Sequence, residues 1–450
     1  MQKRFFKIFI LLLLIVIITA GFRCKFVPEK VKKRIEPVKL VYWRVWDSPD
    51  SFSQIIGNYR AIHPHIEITY RKLRYEEYER ALLEAWAEGR GPDIFSIPNT
   101  WLTKYQKFIL PLPGKTTMPY VVVTGPACKR TEEIVLKDQP SLSLRDLKNN
   151  FVDVVFDDVV RNNQIYALPL SIDTLVLYYN RDLLNNAGIA QPPTNWTELK
   201  DDVEKLTIQD KTGNIIQAGI AMGTAENITR STDILFLLMM QNGTLMTSGQ
   251  RATFNQPLAA DPNYFPGQEA LRFYTDFANP AKETYSWNTE MQNSLDAFIE
   301  GKVALFFGYA YHLPTIQARA PKLNFGITSA PQIEGSLKQV NYANYWIETV
   351  FFKTEYPNET WDFLQFATAQ GNVDSYLNSV KKPTALRGLI SQQLEDFDLA
   401  PFAQQVLTAQ SWYHGQDFEA VEGIFKEMIT SINGGETDYK KVINLSLIHI

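Results

Sequence analysis

Residues 38–70 read VKLVYWRVWDSPDSFSQIIGNYRAIHPHIEITY, and the change of period inside this stretch decides the fold class. Val38 to Val45 is apolar and rich in β-formers, and it stops at Trp46-Asp47-Ser48-Pro49. Ser51 is placed to cap a helix whose Phe52, Ile55, Ile56, Tyr59 and Ile62 recur at helical spacing, and Pro64 ends it. Ile66, Ile68 and Tyr70 then alternate with polar residues, the period of a strand. Outward from there, Tyr75, Tyr78, Leu82 and Trp86 mark a second amphipathic helix closed by Gly89. Pro92 to Ile97 reads as a short buried strand that opens into Asn99-Thr100-Trp101. This β-α-β-α-β order predicts an α/β fold with a parallel, doubly wound sheet. Ligands of such sheets sit beyond the carboxyl ends of the strands, which is where Trp46, Asp47, Asn99, Thr100 and Trp101 fall. Trp43 lies inside its strand and reads as core, as do Trp86 and Trp361 on helical faces.

The middle of the chain has another texture. Ile165 to Leu170 leads to a polar Asp173 and then to the apolar Val176 to Asn180. Pro192-Pro193-Thr194-Asn195-Trp196 introduces a helix capped by Thr194 or Asn195 and carrying Leu199, Val203 and Leu206 on one face. Helices are predicted over Asp233 to Gln241, Gly267 to Phe277 and Met291 to Glu300, and strands over Val303 to Phe307, Asn324 to Ile327 and Tyr345 to Phe352.

At 450 residues the chain exceeds one typical core, so two domains are expected. A net charge of −4 gives no electrostatic reason to propose nucleic acid as a partner. Aromatic residues make 13% of the chain, enough to supply stacking faces as well as core. The two cysteines, Cys24 and Cys128, exclude a disulfide scaffold. At the N-terminus, Lys3, Arg4 and Lys7 precede an apolar run from Ile8 to Phe22, and a basic segment, Arg23 to Arg34, follows. This pattern predicts a signal or anchor segment over 1–37, with the folded body on the outer face of the cytoplasmic membrane. The run is shorter than the ~20 apolar residues of a usual spanning helix. Cys24 offers a lipoprotein site, but the preceding Gly21-Phe22-Arg23 is a degenerate processing box. Leu445 to Ile450 continues no pattern of the body.

Six pieces, in order, resemble the extracellular solute-binding proteins of ABC importers, in the group that includes maltose-binding protein. They are Leu40-Val41-Tyr42-Trp43; His63-Pro64-His65-Ile66-Glu67-Ile68; Gly91-Pro92-Asp93-Ile94; Ala167-Leu168-Pro169 with Tyr178 to Leu184; Pro193 to Leu199; and Phe298 to Ala304 before Gly308. The resemblance implies a type II periplasmic-binding-protein-like fold, two α/β lobes around a cleft. Carried onto this chain, lobe 1 is 38–168 with 345–380, and lobe 2 is 169–340 with 385–450. Crossings fall near Leu168-Pro169, Val340 to Tyr345 and Lys382-Pro383. The function implied is capture of a small polar solute, a mono- or oligosaccharide, and its delivery to ABC permease subunits by a monomer without cofactor. From lobe 2 the resemblance adds Asp173, Ser231, Asp233, Tyr309 and Tyr311 as contacts, and by analogy Trp287 and Trp412. Carboxylates and amides pair with sugar hydroxyls, and aromatic faces stack on the apolar faces of pyranose rings.

Two other readings stand beside it. Asp47, Asp173 and Asp233 together suit a polyamine or other cationic solute. A glycoside-processing enzyme needs two closely placed carboxylates, for which Asp47, Asp173 and Glu348 are the candidates. The sequence has no G-x-S-x-G elbow, no P-loop and no H-E-x-x-H. His63-Pro64-His65 is the only histidine pair close in sequence, and it flanks a proline at a helix-to-strand junction, so no metal site is expected.

Overall fold

The computed structural model describes residues 36–124, 131–249 and 251–446. The N-terminal apolar run, Cys24, Cys128 and residues 447–450 lie outside the described residues. Two five-stranded sheets organise the body. In the first, strands run in the order Ile66–Lys72, Val38–Arg44, Ile94–Pro98, Trp346–Val350 and Ala167–Leu168. Val38–Arg44 pairs in parallel with Ile66–Lys72, from Val38 opposite Ile66 to Arg44 opposite Lys72, and in parallel with Ile94–Pro98. The expected parallel core is therefore present, with one addition. Trp346–Val350 enters antiparallel between Ile94–Pro98 and Ala167–Leu168. Local periodicity specifies a strand but not which distant neighbour it joins.

The helix after the first strand spans Pro49–Ile62 and buries Phe52, Ile55 and Tyr59. It starts two residues before the expected Ser51 cap, because a proline with its fixed φ suits the first helical turn. His63 closes it, donating its backbone N–H to the Tyr59 carbonyl, and Pro64 follows. The second helix, Tyr75–Ala87, buries Tyr78, Leu82 and Trp86. Trp43, Trp86 and Trp361 are all buried.

The second sheet is mixed, in the order Ile208–Gln209, Ile215–Ile220, Val303–Gly308, Val176–Asn180 and Phe325–Ser329. Ile215–Ile220 and Val303–Gly308 are parallel, and Val176–Asn180 is antiparallel to both of its neighbours. Val303–Gly308 is buried throughout, as its unbroken apolar run requires. Trp196–Leu206, Ser294–Ile299 and Ala400–Gln405 lie against this sheet, while Ser231–Gln241 packs on Pro266–Asp276 and Phe418–Asn433. Asn195 caps the first of these by accepting from the Glu198 N–H, while the Glu198 carboxylate accepts from the N–H and hydroxyl of Thr194.

Where the chain passes between the sheets, its segments are hydrogen-bonded side by side. Leu175 donates to the Tyr342 carbonyl, Asn344 to the Asp173 carbonyl, and Ile172 to the Pro383 carbonyl. A long hairpin, Lys115–Thr124 against Thr131–Pro140, stands apart from both sheets and leans on the helix Pro357–Thr368. None of the described helices is long and apolar enough to cross a membrane.

Candidate functional site

The ends of three elements around the first sheet, the first body as against the second body around the second sheet, bring aromatic rings together. Trp46 follows the first strand, Tyr75 opens the second helix, and Trp346 opens the antiparallel strand. The Trp46 and Tyr75 rings stack with centroids 5.7 Å apart and planes 18° from parallel. Trp346 meets Trp46 edge-on at 6.1 Å and Tyr75 at 6.3 Å. Trp46 is 52% exposed and Tyr75 43%, so this is an open aromatic surface, not core.

The second body faces it with charge. Burial raises the pKa of Tyr75, and the carboxylates of Glu419 and Glu422 raise it further while the Arg230 guanidinium acts against them. Those charges reach Tyr75 from the helix Phe418–Asn433 and from the N-terminal end of the helix Ser231–Gln241, so the two bodies oppose each other here. Arg230 has a left-handed backbone, φ 62°, a conformation that costs a non-glycine residue energy. That backbone turns its guanidinium onto Asp233 as a two-pronged pair, Nε at 2.8 Å and one amino nitrogen at 2.9 Å, with Glu422 3.4 Å away. Asp233, fully buried, also accepts from the Tyr309 hydroxyl at 2.6 Å and from the Asn344 side-chain amide at 3.2 Å. Tyr311 stacks on Tyr309 at 5.7 Å and is 50% exposed, which gives the second body an open ring as well.

Asp173 and Lys382 lie near one another on two of the passing segments, close enough for each charge to act on the other. Burial raises the Asp173 carboxyl to about 7, and hydrogen bonds from the Ala310 and Thr174 N–H groups and the Lys382 charge only partly offset it. Asp173 therefore titrates near neutral pH and, when protonated, is a hydrogen-bond donor as well as an acceptor.

Each residue singled out from sequence has a definite place. Trp46 and Tyr311 present open faces. Asp47 points inward, because adjacent residues beyond a strand end still tend to opposite sides. It is taken by Arg44 at 2.9 Å, Lys382 at 2.7 Å and the Tyr376 hydroxyl at 2.7 Å. Burial opposes its ionisation, but Arg44 and Lys382 outweigh this and hold its pKa at about 2. Asn99, Thr100 and Trp101 form a 3-10 turn that folds all three inward. Trp101 is only 4% exposed, packed on Tyr105 and crossed by Lys104, and Asn99 donates to Asp158. Ser231 and Asp233 are buried beneath Arg230. Trp287 is fully buried, and Trp412 is packed on Phe236 and Phe425. Trp101, Trp287 and Trp412 thus have no broad open face, contrary to the stacking role expected of them.

Tyr75, Trp346, Arg230, Glu422 and Asn344 were not legible as site residues. Tyr75 fits the apolar face of its helix, and only its position in the first turn turns it back over the strand end. Arg230 carried no motif at all. No group of three or more His, Cys, Asp or Glu side chains able to hold a metal occurs among the described residues.

The family model described as bacterial extracellular solute-binding protein matches residues 54–384. A Brucella abortus (strain 2308) chain named only as a binding protein is 26% identical over 289 residues, covering 62% of this chain and 59% of its own length. The maltodextrin-binding protein MdxE of Bacillus subtilis (strain 168) is 26% identical over 267 residues, covering 57% of this chain and 59% of that protein. The matched region thus spans 59% of the length of these curated relatives. Among solved structures, the cyclic alpha-maltosyl-1,6-maltose binding protein of Arthrobacter globiformis superposes with a TM-score of 0.72 at 18% identity, over 92% of this chain and 98% of that one. That likeness shows the fold: two α/β lobes of the periplasmic solute-binding type.

Proposed function

This chain belongs to the bacterial extracellular solute-binding proteins, and from that premise we propose that it captures a neutral oligosaccharide between its lobes and hands it to ABC permease subunits. The observation that carries the reading is the open stack of Trp46 on Tyr75, with Trp346 at its edge, set against Tyr311, Arg230 and Glu422. Rings offer stacking faces to pyranose rings, and Arg230, Glu422, Asn344 and Asp173 offer donors and acceptors to hydroxyls. The names of the relatives, which bind maltodextrin and a cyclic maltosyl-maltose, point to an α-linked glucose oligomer.

A cationic solute is disfavoured by charge. Asp47 is neutralised by Arg44 and Lys382, and Asp233 by Arg230, which leaves neither free for an amine. Two of the three candidates for an enzymatic pair, Asp47 and Glu348, are spent in the same way: Glu348 is fully buried and bound by Tyr42, Arg44 and Ser96. The protein is a binding protein, not an enzyme.

The lobes are taken as 38–168 with 345–380 and 169–340 with 385–450, hinged where the three segments pass. The contacts retained from the sequence reading are Trp46, Asp173 and Tyr311, joined by Tyr75, Trp346, Arg230, Glu422 and Asn344. An extracytoplasmic location follows from the family. The finer reading is a monomer held at the outer face of the membrane by residues 1–37, and the basic-apolar-basic pattern of that segment supports its membrane attachment.

The test is calorimetric titration of purified protein with maltose, maltotriose, maltotetraose and spermidine. Binding of at least one oligosaccharide, recovered unchanged, with no binding of spermidine is the expected result. Tight spermidine binding, or release of shorter sugars, would overturn it.

A further inference from the structure

Lys382 ties the two bodies together where an open ring of each is supported. It follows the left-handed Lys381, φ 52°, on one of the passing segments. The next residue, Pro383, accepts the Ile172 N–H of another passing segment at 3.1 Å. The Lys382 ammonium donates to Asp47 Oδ1 at 2.7 Å. Asp47 is bonded to Trp46, an open ring of the first body. The same charge acts on Asp173, which directly follows Ile172. The Asp173 carboxyl accepts the N–H of Ala310, and Ala310 is bonded to Tyr311, the open ring of the second body.

Neutralising Asp47 does not by itself account for a lysine here. Asp47 already has Arg44 at 2.9 Å and the Tyr376 hydroxyl at 2.7 Å. Arg44 is 4% exposed and also meets Glu348 at 3.1 Å, so its charge is enclosed within the first body. The Lys382 side chain is 18% exposed, which makes it the cation on Asp47 that a solute can reach. An ammonium has several N–H donors, and the bond to Asp47 uses one of them. Asp173 is half-buried as well, and the N–H groups of Ala310 and Thr174 both go to its Oδ1. Ionised or protonated, a carboxyl held this way keeps further acceptor capacity. Among the described residues Lys382 forms its ion pair with Asp47 and not with Asp173, so the Lys382 and Asp173 charges act on each other across a gap.

A charged donor and an acceptor thus lie close together where the bodies meet. A hydroxyl matches both, because it accepts through a lone pair and donates through its O–H. A protonated amine has donors alone and meets Lys382 as a like charge. We propose that Lys382 is a specificity-determining residue of the oligosaccharide site, donating to one sugar hydroxyl that in turn donates to Asp173. The inference rests on the oligosaccharide reading and adds to it the residue that selects one hydroxyl of the ligand.

The test is calorimetric titration of the full chain with the shortest of maltose, maltotriose and maltotetraose that it binds. The monodeoxy analogues of that sugar, each lacking one hydroxyl, are titrated beside it. Lys382→Met should weaken the parent sugar by about ten-fold or more, as expected for a lost hydrogen bond to a charged group. One analogue should be penalised in the unchanged chain and lose most of that penalty in Lys382→Met, and the same analogue should do so in Asp173→Asn. If Lys382→Met folds poorly, Lys382→Gln, which still donates to Asp47, carries the same expectation. Unchanged affinity for the parent sugar overturns the proposal. So does a loss shared equally by all analogues with every penalty kept, which is what a purely structural role in holding Asp47 produces. Failure of the unchanged chain to bind any of the three sugars overturns the oligosaccharide reading itself, and is thereby distinct from a failure confined to Lys382.

Discussion

Trp46 and Asp47 are neighbours with opposite fates, and the contrast makes the chemistry of the site testable residue by residue. Trp46→Ala removes an exposed stacking face, so oligosaccharide affinity should fall by about 1 kcal/mol, roughly five-fold, with the melting temperature nearly unchanged. Trp101→Ala instead truncates a buried ring and should lower unfolding free energy by about 3–5 kcal/mol in denaturant titrations. Asp173 gives a pH signature. Its folded pKa, about 7, lies above its unfolded value of 3.8, so the folded state binds the extra proton between those limits and stability falls as pH rises through that window. Asp173→Asn keeps the acceptor for the Ala310 and Thr174 N–H groups but carries no charge. It should raise the melting temperature at pH 8 and leave it nearly unchanged near pH 4. An equal shift at both would show that the side chain is not desolvated. Asp47 has the opposite sign: its stabilisation is present above pH 3.8 and is lost as pH falls through about 2. Asp47→Asn should therefore destabilise at pH 7, and that deficit should shrink in acid.

At the scale of elements, the periodicity of residues 38–98 located two helices and three strands because each carries its own apolar face. What it left open follows from the same physics. Whether the residues after a strand open outward or fold back depends on a turn with no apolar period, and the 3-10 turn at Asn99–Trp101 folds back. The antiparallel entry of Trp346–Val350 joins residues far apart in sequence, and so Trp346 went unrecognised beside Trp46. Arg230 matters because of a left-handed backbone that no pattern announces. The hairpin Lys115–Thr124 with Thr131–Pro140 went unread for another reason: it packs on one helix and joins neither sheet. Caps, by contrast, are local and legible. Asn195→Ala should cost about 1 kcal/mol of stability in a denaturant titration, since its side chain alone accepts the Glu198 N–H at the start of the helix Trp196–Leu206.

At the scale of the molecule, two sheets are joined by segments that are themselves hydrogen-bonded, so bending is confined to a few backbone positions between stiff bodies. Lys381, with φ 52°, sits on one of those segments, beside the Lys382 that binds Asp47 across it. In the proposed site one body supplies rings and the other supplies charge and a further ring, so neither body alone would make the whole site. The most direct test is a calorimetric double-mutant cycle with maltotetraose on Trp46→Ala, Tyr311→Ala and the pair. One sugar held by both bodies predicts a single site, weakened about five-fold by each change and further by the two together. Unaltered affinity in the doubly substituted protein would contradict capture between the lobes.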